Sequence, residues 1–114
     1  MRKYSAKSAT RVDLAGGTLD LWPLHSFIGD CTTINLSVSI FTFCELEKRE
    51  DKKIVIISKD QELKKEFSSI EDFYINSDAS LNFFKCHIKY WSPTFGFNLT
   101  TRSESPMGGG LGGS

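Results

Sequence analysis

The stretch FGFNLTTRSESPMGGGLGGS, Phe95–Ser114, changes character halfway along. Its first half alternates, with Phe95, Phe97 and Leu99 on one face, and reads as a β-strand. Its second half is uncharged and rich in glycine. From Gly108 to Ser114 six of the seven residues are Gly or Ser, and Leu111 is the only bulky side chain. A strand that delivers such a loop is a physical means of gripping phosphate. Without Cβ atoms, successive backbone N–H groups can turn inward and approach an anion closely. A helix following the loop would add its N-terminal N–H groups and dipole. Glycine content alone describes a flexible tail equally well. The loop is not a Walker A sequence, because Gly-Lys-Ser/Thr is absent, and it does not sit where a dinucleotide fingerprint belongs.

Working outward from the loop, KYSAKSATRVDLAG (Lys3–Gly16) reads as extended, with Val12 and Leu14 alternating against Arg11 and Asp13. Gly16-Gly17 breaks that pattern, and Pro23 disfavours helix at Trp22. In INLSVSIFTFCEL, residues Ile34, Leu36, Val38, Ile40, Cys44 and Leu46 share one face, which predicts a long strand with something packed over it. The charged turn EKREDKK (Glu47–Lys53) leads to the β-branched run of Lys52–Ser58, and the two strands are expected to form a hairpin. KDQELKKEFSS, beginning at Lys59, reads as a short helix or a solvated excursion. Beyond it Ser77 or Asp78 can cap a helix in which Leu81, Phe84, Ile88 and Trp91 recur on one face up to Pro93. The expected order is β–loop–β–β–α–β–glycine loop, an α+β layer with a sheet formed mainly by hairpins.

The chain has 114 residues, enough for one domain or part of one. Lys plus Arg and Asp plus Glu number 14 each, so no net field draws it to nucleic acid or to an anionic membrane. Cys31, Cys44 and Cys86 lack CxxC spacing; they argue for a reducing compartment and read as small buried apolar groups. The N-terminus carries no apolar run fit for a signal peptide or a membrane span, and a cytoplasmic location is expected. No histidine pair has metal-ligand spacing. His25 reads as a surface-turn residue and His87 as a structural one.

Two stretches together resemble the GHMP kinases, the galactokinase, homoserine kinase, mevalonate kinase and phosphomevalonate kinase superfamily. SPMGGGLGGS is similar to that family's second motif, P-x-G-S-G-L-G-S-S-A. Pro106, Gly108, Gly110, Leu111, Gly112 and Ser114 fit it as they stand, while Gly109 and Gly113 replace serines. The resemblance implies that Pro106, Gly108, Gly109, Gly110, Leu111, Gly112, Gly113 and Ser114 hold the ATP phosphates, with Ser114 on the magnesium side. The second stretch, SATRVDLAGGTLDLWP (Ser8–Pro23), resembles the acceptor-supporting motif in its heptose-phosphate kinase and fucokinase forms. Arg11, Asp13, Gly16, Gly17 and Asp20 match its polar and glycine positions, although Thr18-Leu19 departs in spacing. The galactokinase and mevalonate kinase forms, built on G-E-H, are absent. GDCTTINLSVSIFTFCELE is similar to the segment that follows, with Asp30 where glycine is commoner.

The family resemblance implies a fold like ribosomal protein S5 domain 2, ATP and Mg2+ as cofactors, and a sugar or sugar phosphate as acceptor. It further implies that 1–114 is the N-terminal portion of the ATP-binding domain, ending inside the phosphate loop. On that reading the catalytic base lies beyond Ser114, the chain alone is inactive, and the Ile34–Leu46 row is exposed to self-association or to a complementing chain. Within the site, Asp20 on its glycine-made turn is the preferred hydroxyl acceptor. Arg11 either braces Asp13 or Asp20 or holds a substrate phosphate. Asp13 is open between a ligand-facing and a solvent-facing role, and Trp22 between sugar stacking and a packing wedge. A non-catalytic nucleotide- or anion-binding remnant is the alternative reading.

Overall fold

The computed structural model describes residues 2–111. They comprise β1 (Lys3–Ala15), α1 (Leu24–Ile28), β2 (Ile34–Lys48), β3 (Ile54–Ser58), β4 (Leu63–Phe67), α2 (Ile70–Ile75), a single 3-10 turn (Ala79–Leu81), α3 (Asn82–Trp91) and β5 (Phe97–Ser103). The chain divides into two compact units, Met1–Ala6 with Cys44–Arg102, and Lys7–Phe43 with Ser103–Ser114.

The first unit holds the core. The start of β1 and the end of β2 belong to it with β3, β4 and β5, and the strand order of the sheet is β1-β2-β5-β3-β4. β3 runs parallel to β5 and antiparallel to β4, with Ile54 facing both Phe97 and Phe67. A β-branched run suits this central position, where both faces of the strand are covered. Ile54, Ile56, Phe67 and Phe97 form the apolar floor of the cluster on one face. Phe73 of α2 and Leu81, Phe84 and Ile88 pack onto it. Phe73 is fully buried and meets Phe67 edge-on at 5.3 Å between ring centroids. Each such side chain stabilises the fold by about 1.5–3 kcal/mol on burial. Ser69 caps α2 by accepting the Asp72 N–H, and Asp78 caps the 3-10 turn by accepting from Ser80. Ser92, in the left-handed region at φ 45°, ends α3 just before Pro93.

Four sequence expectations are corrected here. The β2–β3 hairpin does not exist, because β5 lies between those strands in the sheet. Lys59–Ser69 supplies an edge strand, β4, instead of a helix or an excursion. Leu63 and Phe67 are four residues apart, a spacing that puts them on one face of either a helix or a strand, and pairing with β3 decides between them. Trp91 is 74% exposed and is no part of the helix's buried face. Two short helices, α1 and α2, were not foreseen. The three cysteines are free thiols, with Cys44 and Cys86 exposed and not buried as expected.

In the second unit β1 and β2 form an antiparallel ladder. The Thr42 hydroxyl donates to the Ser8 carbonyl and the Thr10 hydroxyl to the Ile40 carbonyl, so positions rise along one strand as they fall along the other. Thr10 is the one buried residue among those described in this unit. The start of the apolar row is open, with Ile34 and Leu36 more than half exposed, whereas Val38 and Ile40 are half-buried.

Candidate functional site

Both stretches singled out in the sequence lie in the second unit. β1 carries Arg11 and Asp13 two residues apart, hence on one face of the strand. The Arg11 guanidinium Nε lies 3.3 Å from Asp13 Oδ1, so the arginine braces this carboxylate and not Asp20.

The strand ends in a turn that only glycine can form. Gly16 sits at φ +76°, and a Cβ there would lie 2.2 Å from the Thr32 carbonyl oxygen. The Thr33 hydroxyl and the Leu19 N–H both donate to the Gly16 carbonyl. A Cβ on Gly17 would lie 2.5 Å from Asp13 Oδ2. Asp13 therefore occupies the space that Gly17 leaves, clamped between its own arginine and the glycine turn. Asp20 is exposed just beyond the turn, and Trp22 is 79% exposed, which removes the packing-wedge role. His25 lies in α1, and His87 stacks edge-on against Phe83 in α3 of the first unit.

The glycine loop approaches from β5. Gly108 at φ +74° and Gly110 at φ +67° lie in the left-handed region, while Gly109 between them does not. Such an alternation can bring the Gly108 and Gly110 amides toward one anion, a partial nest whose middle amide is already bonded within the loop. Among the described residues a Cβ at Gly108 or Gly110 would meet nothing within 4 Å. The Gly109 N–H closes a turn onto the Pro106 carbonyl at 3.0 Å. Among the described residues the Gly108 and Gly110 amides find no acceptor within the protein. The loop then meets the other stretch directly, where the Arg11 N–H donates to the Leu111 carbonyl at 3.0 Å. The expected phosphate contacts of Gly112, Gly113 and Ser114 lie outside the described residues.

Among the described residues no three His, Cys, Asp or Glu side chains are grouped to hold a metal ion. No helix among the described residues is long and apolar enough to cross a membrane.

Sequence reasoning missed Glu104, whose carboxylate accepts the Phe41 N–H at 2.8 Å. Its only local signal was a carboxylate at the junction of strand and loop.

The fold is similar to that of the corresponding parts of solved sugar and mevalonate kinases. No protein-family model matches the chain. A D-glycero-alpha-D-manno-heptose 7-phosphate kinase of Campylobacter jejuni is 32% identical over 119 aligned positions, covering all of this chain and 34% of that protein. The crystal structure of a D-glycero-D-manno-heptose 1-phosphate kinase from Bacteroides thetaiotaomicron superposes with a TM-score of 0.78 at 27% identity, covering 98% of this chain and 37% of that one. The mevalonate kinase of Methanococcus jannaschii shares the fold at a TM-score of 0.68 and 16% identity, covering 98% of this chain and 36% of that one. The sequence similarity thus runs to heptose-phosphate kinases. The chain spans about a third of the length of the curated relative that it matches.

Proposed function

We propose that the chain is the N-terminal part of an ATP-dependent kinase that transfers the γ-phosphoryl group to a hydroxyl of a sugar or sugar phosphate, in the manner of a heptose-phosphate kinase. The observation that carries this reading is the nest at Gly108–Gly110, tied through Leu111 to Arg11 of the glycine-turn strand. In this reading Gly108, Gly110 and the residues from Leu111 to Ser114 receive the ATP phosphates on main-chain N–H groups, while Pro106, which has no N–H, shapes the loop by taking the Gly109 amide on its carbonyl. Arg11, Asp13, Gly16, Gly17 and Asp20 form the acceptor side, and magnesium enters only as part of the nucleotide. Asp20, exposed beyond the turn, accepts hydrogen bonds from sugar hydroxyls, and Arg11 keeps Asp13 in place. Phosphoryl transfer depends chiefly on positioning and on electrostatic stabilisation of the transferring group, which fixed amides supply without reorganising.

Calorimetric titration of the 114-residue chain with ATP, with and without magnesium, tests the reading. Saturable binding that is lost in Gly110→Val supports the phosphate cradle, because valine at φ +67° is sterically excluded. A folded chain that binds no ATP overturns it. Heptose phosphates added to the nucleotide-loaded chain then test the acceptor side.

A further inference from the structure

We infer that Glu104 is a positioning residue for the phosphate loop, setting where the main chain leaves the sheet and holding the loop's near end on β2. The inference rests on the proposed function for the ligand that it names. β5 ends at Ser103, and the next residue pairs with Phe41 in an unusual way. The Glu104 N–H donates to the Phe41 carbonyl at 2.9 Å. The Phe41 N–H returns a bond of 2.8 Å to Glu104 Oε2. Two facing residues of an antiparallel pair normally exchange both bonds through their main chains. Here the carboxylate takes the place of the Glu104 carbonyl.

The main chain turns just beyond this pair into Ser105-Pro106, where the Ser105 N–H donates to the Ser103 hydroxyl at 3.1 Å. At the far end the Arg11 N–H holds the Leu111 carbonyl. Residues 105–110 are thus slung between an anchor on β2 and an anchor on β1. A carboxylate oxygen makes the first anchor a better acceptor than a ladder carbonyl. Fixing both ends of a glycine-rich segment lowers the ordering cost when an anion binds. Arg11 serves twice, with its amide on the loop and its guanidinium on Asp13, so both halves of the site are referred to one strand residue.

The test compares Glu104→Ala with Glu104→Gln, whose amide oxygen can still accept the Phe41 N–H. ATP affinity is read by calorimetry, and amide hydrogen exchange of Phe41, Arg11 and Phe73 by NMR. The expected result is ATP binding weakened about tenfold in Glu104→Ala and restored to within about twofold in Glu104→Gln. Exchange at Phe41 and Arg11 accelerates in the alanine variant only, while the core amide of Phe73, bonded to the Ser69 carbonyl, is unchanged. Unaltered ATP affinity in Glu104→Ala overturns the inference, as does a glutamine variant as weak as the alanine one. If the wild-type chain binds no ATP, it is the proposed function that fails. Exchange then decides alone: acceleration at Arg11 in Glu104→Ala upholds the positioning role, and its absence overturns it.

Discussion

Replacing Gly110 by alanine of either hand separates main-chain geometry from every other property of the loop. Gly110 sits at φ +67°, and an added Cβ would find no atom of the described residues within 4 Å. Among those residues the cost that stands is that of holding an L-residue in the left-handed region. That cost is about 1–2 kcal/mol. If the nest is the conformation that binds phosphate, the L-alanine variant must reach it against this penalty, and ATP affinity falls about 5- to 30-fold. D-alanine prefers positive φ and leaves the nest intact, so its affinity stays within about twofold of wild type. The short distance to the C-terminus of the chain allows either residue to be introduced by peptide ligation, and calorimetry reads the result. Equal weakening by both enantiomers would refute the geometric argument, because it would implicate the added methyl group. Undiminished binding by the L-alanine variant would refute it as well, since the left-handed conformation would then be unnecessary.

Other consequences are read at other places. Phe73→Ala empties the centre of the core beneath Phe67 and is expected to cost about 3–5 kcal/mol in urea unfolding; a loss under about 1 kcal/mol would contradict the packing described. Gly16→Ala must push the Thr32 carbonyl aside as well as strain φ, so it is expected to destabilise the second unit more than Gly108→Ala, which meets no neighbour. Exchange rates of the Leu19 amide in the two variants make the comparison. Asp51 is held down to about 2 by its hydrogen bonds from Arg49, and Asp78 to about 2 by those from Ser80 and Lys65. Both folded values lie below the ordinary 3.8, so their stabilisation is complete above about pH 4 and is lost as pH falls toward 2. Melting temperature should drop across that window, with a shallower drop in an Asp51→Asn, Asp78→Asn double variant. Finally, Phe27 at 82% exposure and the open ends of the Ile34–Leu36 row predict concentration-dependent self-association, to be measured by sedimentation. A monomer at all accessible concentrations would count against any partner on that face.

The elements most visible in the sequence were those whose evidence is local. Alternation marked β1, β2 and β5, and the 3.6-residue spacing of Leu81, Phe84 and Ile88 marked α3 down to its stop before Pro93. The paired glycines marked the turn at Gly16 and the nest at Gly108–Gly110, because positive φ leaves a compositional trace wherever it is required. α2 left only Ser69 and a few apolar residues, too short a run to show a period, yet Phe73 proves central to the core.

Pairing partners were another matter. A hairpin between β2 and β3 satisfied every local rule, and the sheet instead admits β5, the last strand of the chain, between them. The Arg11–Asp13 brace could be weighed in advance because the two residues are neighbours on one strand. Glu104 could not, since its role depends on Phe41, a distant residue. The sequence alone determined that β1, β2, β3 and β5 extend, that α3 coils and where the main chain must be glycine, because backbone sterics and side-chain periodicity act over a few residues. Only the tertiary structure decided which strand lies beside which and which carboxylate anchors the loop. Those outcomes rest on hydrogen bonds and burial between segments that meet only once the chain has folded.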